Sequence, residues 1–191
     1  MEALSHDPFS QCKAAEPYRA WSPDGKTLAF HHIQSLENRD IYVFTPSRDD
    51  APEPFLATPF QERNPAFSPD GRWIAYVSDE SGRDEVYVKP YPGPGGKFSI
   101  STEGGIQPVW SPAGGELFYR EADKMMVVAV EKGPAFRSSK PKVLFEGPFA
   151  TGFLHNPNYT VSPDGQRFVM IQEVQSPYFE IVLNWANGLE R

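Results

Sequence analysis

Four turns of one kind punctuate the chain: "WSPDG" at Trp21–Gly25, "FSPDG" at Phe67–Gly71, "WSPAGG" at Trp110–Gly115 and "VSPDG" at Val161–Gly165. Their serines, Ser22, Ser68, Ser111 and Ser162, stand 46, 43 and 51 residues apart. A tight turn that returns at such an interval requires a repeated supersecondary unit, each copy stacked on its neighbours because none can bury its apolar face alone.

Each turn is followed by a short apolar run: "TLAF" (Thr27–Phe30), "WIAY" (Trp73–Tyr76), "ELFY" (Glu116–Tyr119) and "RFVM" (Arg167–Met170). A second run follows a polar turn: "DIYVF" (Asp40–Phe44), "EVYVK" (Glu85–Lys89), "MMVVAV" (Met125–Val130) and "FEIVL" (Phe179–Leu183). Three units add a weaker element, "PFLAT" (Pro54–Thr58), "KFSIST" (Lys97–Thr102) and "KVLFE" (Lys142–Glu146). These runs are rich in β-branched and aromatic residues and too short for helices. Each unit therefore reads as four strands, the innermost ending at Trp21, Phe67, Trp110 or Val161, and the spacing is that of a propeller blade.

The fourth unit stops after its third strand, and the start of the chain offers the missing one. "PFSQCKAAEPYRAW" (Pro8–Trp21) slides without a gap over "KFSISTEGGIQPVW" (Lys97–Trp110). The expected fold is an all-β propeller of four four-stranded blades within a single domain, 1–191. The blades span 17–58, 63–102, 106–146 and 157–185, and the N-terminal strand 8–13 closes the last, removing free sheet edges. Two other arrangements satisfy the same strand count: a strand-exchanged dimer forming a larger ring, and a fragment of a six-bladed or larger propeller.

The turn explains its own recurrence. Proline suits its second position, aspartate accepts local backbone N–H groups and glycine tolerates the positive φ that ends it. Asp24, Gly25, Asp70, Gly71, Asp164 and Gly165 are accordingly expected to be structural; Ala113 stands where a repeated metal site would need its carboxylate. Trp21, Phe67, Trp110 and Val161 are expected to pack between blades.

Composition narrows the function. Net charge is −7, from 25 acidic and 18 basic residues with the latter scattered, so the footprint of nucleic-acid binding is missing. Cys12 is the only cysteine, and the four histidines, His6, His31, His32 and His155, have no ligand spacing; no metal and no cofactor are expected. No "GxSxG", "HExxH" or phosphate-cradling glycine loop occurs, so no catalytic residue is assigned. The chain as given shows no basic and apolar leader and no run near eighteen apolar residues. A soluble chain without membrane insertion or signal peptide is expected.

Candidate ligand-binding residues follow from the repeat. The residues four before each serine, Tyr18, Asn64, Gln107 and Asn158, are expected to face the central channel, with Arg19 and Tyr159 at its rim. The longest inter-unit segment, "EGPFATGFLHNPNY" (Glu146–Tyr159), offers a partner loop with Phe149, Phe153 and His155. The leading function is a non-catalytic module that binds or scaffolds a protein or peptide. The alternatives are a glycan-active lyase or hydrolase sited in the channel, and a structural fragment that oligomerises by exchanging terminal strands.

The quoted turns also carry a resemblance. "AWSPDGKTLAF", "NPAFSPDGRWIAYVSDESGRDEVYVKPY", "QPVWSPAGGELFYR" and "YTVSPDGQRFVMI" resemble the TolB-like, WD40-like propeller repeats of bacteria. The closing "IVLNWANGLER" is similar to the end of propellers that follow a membrane span in bacterial serine/threonine protein kinases. Related propellers also precede the hydrolase domain of prolyl-oligopeptidase-type enzymes. The resemblance implies a scaffold whose function lies on its faces, in a periplasmic or extracytoplasmic location if the domain is excised from a longer protein.

Overall fold

The computed structural model describes residues 19–35, 38–133, 135–150 and 157–172, and every regular element among them is a β-strand. The first sheet comprises β1 (Arg19–Trp21), β2 (Leu28–Ser35), β3 (Asn38–Phe44) and β4 (Glu53–Leu56). The second comprises β5 (Glu62–Phe67), β6 (Trp73–Ser78), β7 (Glu85–Pro90) and β8 (Phe98–Ser99). The third comprises β9 (Ile106–Trp110), β10 (Glu116–Glu121), β11 (Lys124–Ala129) and β12 (Lys142–Glu146). In the fourth, β13 (Tyr159–Val161) pairs with β14 (Phe168–Met170). Pairing within each sheet is antiparallel and follows chain order, giving four propeller blades. The expected closing pair, 8–13 against "FEIVL", lies outside the described residues.

The repeated turn has the same wiring in three blades. Gly25, Gly71 and Gly165 each donate their N–H to the serine carbonyl three residues back, at 2.8 Å. Each serine hydroxyl donates to the aspartate two residues on, and accepts from the backbone N–H of Thr27, Trp73 or Arg167 five residues on. The third blade keeps the backbone bond, Gly114 N–H to Ser111 at 2.8 Å. With Ala113 in place of aspartate, the buried Ser111 Oγ has no hydrogen-bond partner among the described residues.

Strand alternation builds the core as a series of seams between blades. On β6, Ile74 and Tyr76 face the first sheet: Ile74 clusters with its Ala29 and Val43 and with Phe67 of β5, and Tyr76 with its Ile41 and with Tyr87 of β7. Ala75 and Val77 face the third sheet, where they pack with Trp110, Leu117 and Tyr119. On β10, Phe118 points the other way and joins Tyr159, Val161, Phe168 and Met170 of the fourth sheet.

Two inner strands carry matching bulges. Asn64 and Gln107 adopt positive φ of 55° and 57°, and the register shifts at these points, so that two residues oppose one on the next strand. Pro65 and Pro108 follow. Lacking an N–H, each fits a position where the ladder is broken.

Candidate functional site

The inner strands surround an open cavity of about 460 Å³, bordered by residues of all four units. Its wall follows from the repeat: the turn leaves the end of each inner strand, so Pro23, Pro69 and Pro112 reach the same mouth. Trp21, Phe67 and Trp110, one residue before each serine, stand behind them, and Asn64 also borders the cavity. The lining otherwise consists of alanine, valine and proline; no carboxylate, histidine or hydroxyl side chain borders it among the described residues.

The residues expected from sequence separate on this frame. Asn64 lines the cavity, whereas Gln107, at the equivalent bulge, is fully buried outside the lining. Asn158 donates its amide to the Ala150 carbonyl. Tyr159 is buried, and its hydroxyl donates to the Gln107 carbonyl at 2.7 Å; burial pushes this phenol far above its ordinary range. Arg19 opens β1. Phe149 packs its ring against Phe145, centroids 5.6 Å apart, and lies 5.6 Å from the Arg120 guanidinium. Tyr18, Phe153 and His155 lie outside the described residues.

Sequence reasoning passed over the three turn prolines as site residues, assigning them to turn geometry alone. The signal was available, because a turn that ends an inner strand must sit beside the axis.

Charged groups gather elsewhere. At the start of β5, away from the turns, the buried Arg63 pairs with Asp84. Beside it Glu62 shares a hydrogen bond with the Thr58 hydroxyl. Burial raises the Glu62 carboxyl to about 7; the Thr58 bond opposes this, and the charges of Asp40 and Asp79 add to it. His31 is lowered to about 4 by burial, then by Arg39 and Arg63. Arg120 is buried, its guanidinium donating to the Ala122 carbonyl at 2.7 Å and to that of Phe149 at 3.3 Å; burial lowers its pKa.

A second, polar cavity of about 370 Å³ lies beside β7 and contains Arg83, Glu85, Tyr87 and Ser101. Glu85 accepts from Arg83 Nε at 2.8 Å, from the Gly104 N–H at 3.0 Å and from the Ser101 hydroxyl. That carboxylate is thus committed to holding the Ser101–Gly104 segment onto the blade. No group of three or more metal-ligating side chains occurs among the described residues.

Antiparallel sheets joined by one repeated turn, with their inner strands beside one apolar cavity, define a β-propeller built from TolB-type repeats. The chain belongs to the TolB β-propeller domain family, whose model matches residues 6–176. An uncharacterized protein of Agrobacterium fabrum is 27% identical over 170 residues, covering 81% of this chain and 54% of that protein. The crystal structure of TolB from Acinetobacter baumannii is similar at a TM-score of 0.61 and 18% identity, over 83% of this chain and 38% of that one. A puromycin-hydrolyzing peptidase of Mycobacterium tuberculosis is similar at 0.60 and 20% identity, over 81% of this chain and 27% of that one. At these identities the two structures speak for the fold alone. The chain spans about half the length of that Agrobacterium protein. Among the described residues no helix is long and apolar enough to cross a membrane.

Proposed function

We propose that this domain is a non-catalytic module that binds a protein or peptide partner at the mouth of its axial cavity. The observation that carries the reading is the composition of the wall: Pro23, Pro69 and Pro112 border the opening, aromatic side chains stand behind them, and among the described residues no acid, base or nucleophile borders it. An apolar cleft of a few hundred cubic ångströms suits an apolar side chain or chain end of a partner. General acid–base catalysis, by contrast, needs titratable groups within hydrogen-bond reach of the reacting atoms. The family resemblance supports an extracytoplasmic setting, where the partner would be another protein or its exposed peptide segment.

The test uses displayed random peptides selected on the chain, with binders measured by titration calorimetry. Pro69→Arg and Pro112→Arg place charge at the exposed rim without touching the blade seams. Each is expected to weaken the selected peptides at least about tenfold, the scale of burying a charge against an apolar ligand. Peptides that bind both variants as tightly as the parent would place the partner surface elsewhere.

A further inference from the structure

The three seams inside the chain share one rule, and the two outer faces hold its unused halves. The residue just before each repeat serine inserts into the preceding blade: Phe67, Trp110 and Val161 are all buried, the first two facing Ala29 and Ala75, the third Phe118. Trp21 holds the same place in the first blade, yet it is 56% exposed.

The reciprocal position is seven residues after the serine. Ala29, Ala75 and Phe118 there are sealed by the following blade, whereas Val169 in the fourth blade is 42% exposed. Two residues further along β14's line, Ile171 is 46% exposed, while its counterparts His31, Val77 and Arg120 are buried. Large apolar side chains exposed together on one sheet face mark an interaction surface. The first blade thus presents an unfilled aromatic knob, and the fourth an apolar face of the kind that receives one.

Among the described residues both halves stay exposed together, and none of those residues makes this seam within the chain. We propose that a second copy of this chain makes it, head to tail, with Trp21 of one copy seated on Val169 and Ile171 of the other. Two such contacts related by a two-fold axis use all four unused faces and close an eight-bladed ring, so the assembly stops at a dimer. The interface continues the established seam geometry, and its chemistry is that of the buried Trp110 against Ala75 and Val77. The axial cavity of each half would then border a shared channel.

Solution mass is read first, by sedimentation of the full 21.4 kDa chain, with the expected result a dimer. Ile171→Glu, at an exposed position that leaves the internal seams intact, is expected to weaken dimerisation at least tenfold. In a Cys12→Ser background, a Trp21→Cys copy mixed with a Val169→Cys copy is expected to give a bismaleimide-linked pair, and the double variant at low concentration only interchain links. A monomeric parent overturns the proposal, and so does a dimer indifferent to Ile171→Glu. A double variant that crosslinks within one chain also overturns it, in favour of a ring closed by four blades.

Discussion

The Tyr159 hydroxyl donates to the backbone carbonyl of Gln107 at 2.7 Å, so the inner strand of the fourth blade is bonded to the inner strand of the third. Trp110 repeats the arrangement one seam earlier, its indole N–H donating to the Ala66 carbonyl at 3.0 Å. In each case a large ring fills the seam and its one polar atom caps a carbonyl of the preceding inner strand. Buried carbonyls of this kind are expensive to leave bare.

Tyr159→Phe keeps the ring and removes the hydroxyl donor to the buried Gln107 carbonyl. The expected loss is about 1–3 kcal/mol, read as a lower urea midpoint with an unchanged slope. A shift below about 0.5 kcal/mol, the scale of an ordinary surface change, would show that the bond contributes little to the seam.

Trp110→Ala removes the knob that joins the second and third blades and is expected to cost roughly 3–5 kcal/mol. Val143→Ala, half exposed on the outer strand β12, is the control, expected within about 0.5 kcal/mol of the parent. Equal effects would mean that the seams do not dominate stability.

Much of this was legible in the sequence because turn chemistry and strand alternation are local. "SPDG" dictates its own hydrogen bonds, and "WIAY" announces two faces, so the blades could be counted before they were seen. The channel residues were less accessible. Counting back four from each serine treats the inner strand as regular, but bulges at Asn64 and Gln107 intervene. Asn64 reaches the cavity; Gln107 is buried with its carbonyl receiving Tyr159. Which face a residue takes beyond a bulge depends on packing between blades, and single-strand periodicity does not contain that information.

Two buried titrating groups near the first seam have opposite pH signatures. The Glu62 carboxyl, raised from 4.5 to about 7, holds its proton more tightly when folded; its contribution is fully present below pH 4.5 and lost as pH rises towards 7. His31, lowered from 6.5 to about 4, is held neutral when folded; its contribution is present above pH 6.5 and lost as pH falls towards 4. Between about pH 4.5 and 6.5 the two trends oppose each other, so the parent should show a shallow stability profile there. Glu62→Gln should unmask a fall in stability on acidification, and His31→Gln a fall on alkalinisation, each by about 1–3 kcal/mol across the window. Parallel profiles for both variants in thermal melts at a series of pH values would refute this pairing.

The turns themselves touch between blades, and glycine is what permits it. Gly25 and Gly165 share a positive φ, 69° and 74°, but differ in surroundings. A Cβ on Gly25 would meet nothing within 4 Å, whereas one on Gly165 would lie 2.6 Å from Ser111 Oγ of the preceding turn. Gly25→Ala should therefore cost only the left-handed backbone penalty, roughly 1–2 kcal/mol. Gly165→Ala should add about 0.5–1.5 kcal/mol for forcing the Ser111 side chain off its rotamer. Ser111→Ala removes a hydroxyl that makes no hydrogen bond among the described residues, so by itself it should be nearly neutral, and combined with Gly165→Ala it should recover the added cost. A double-mutant cycle with no coupling between the two sites would mean that the third and fourth turns do not nest as the structure places them.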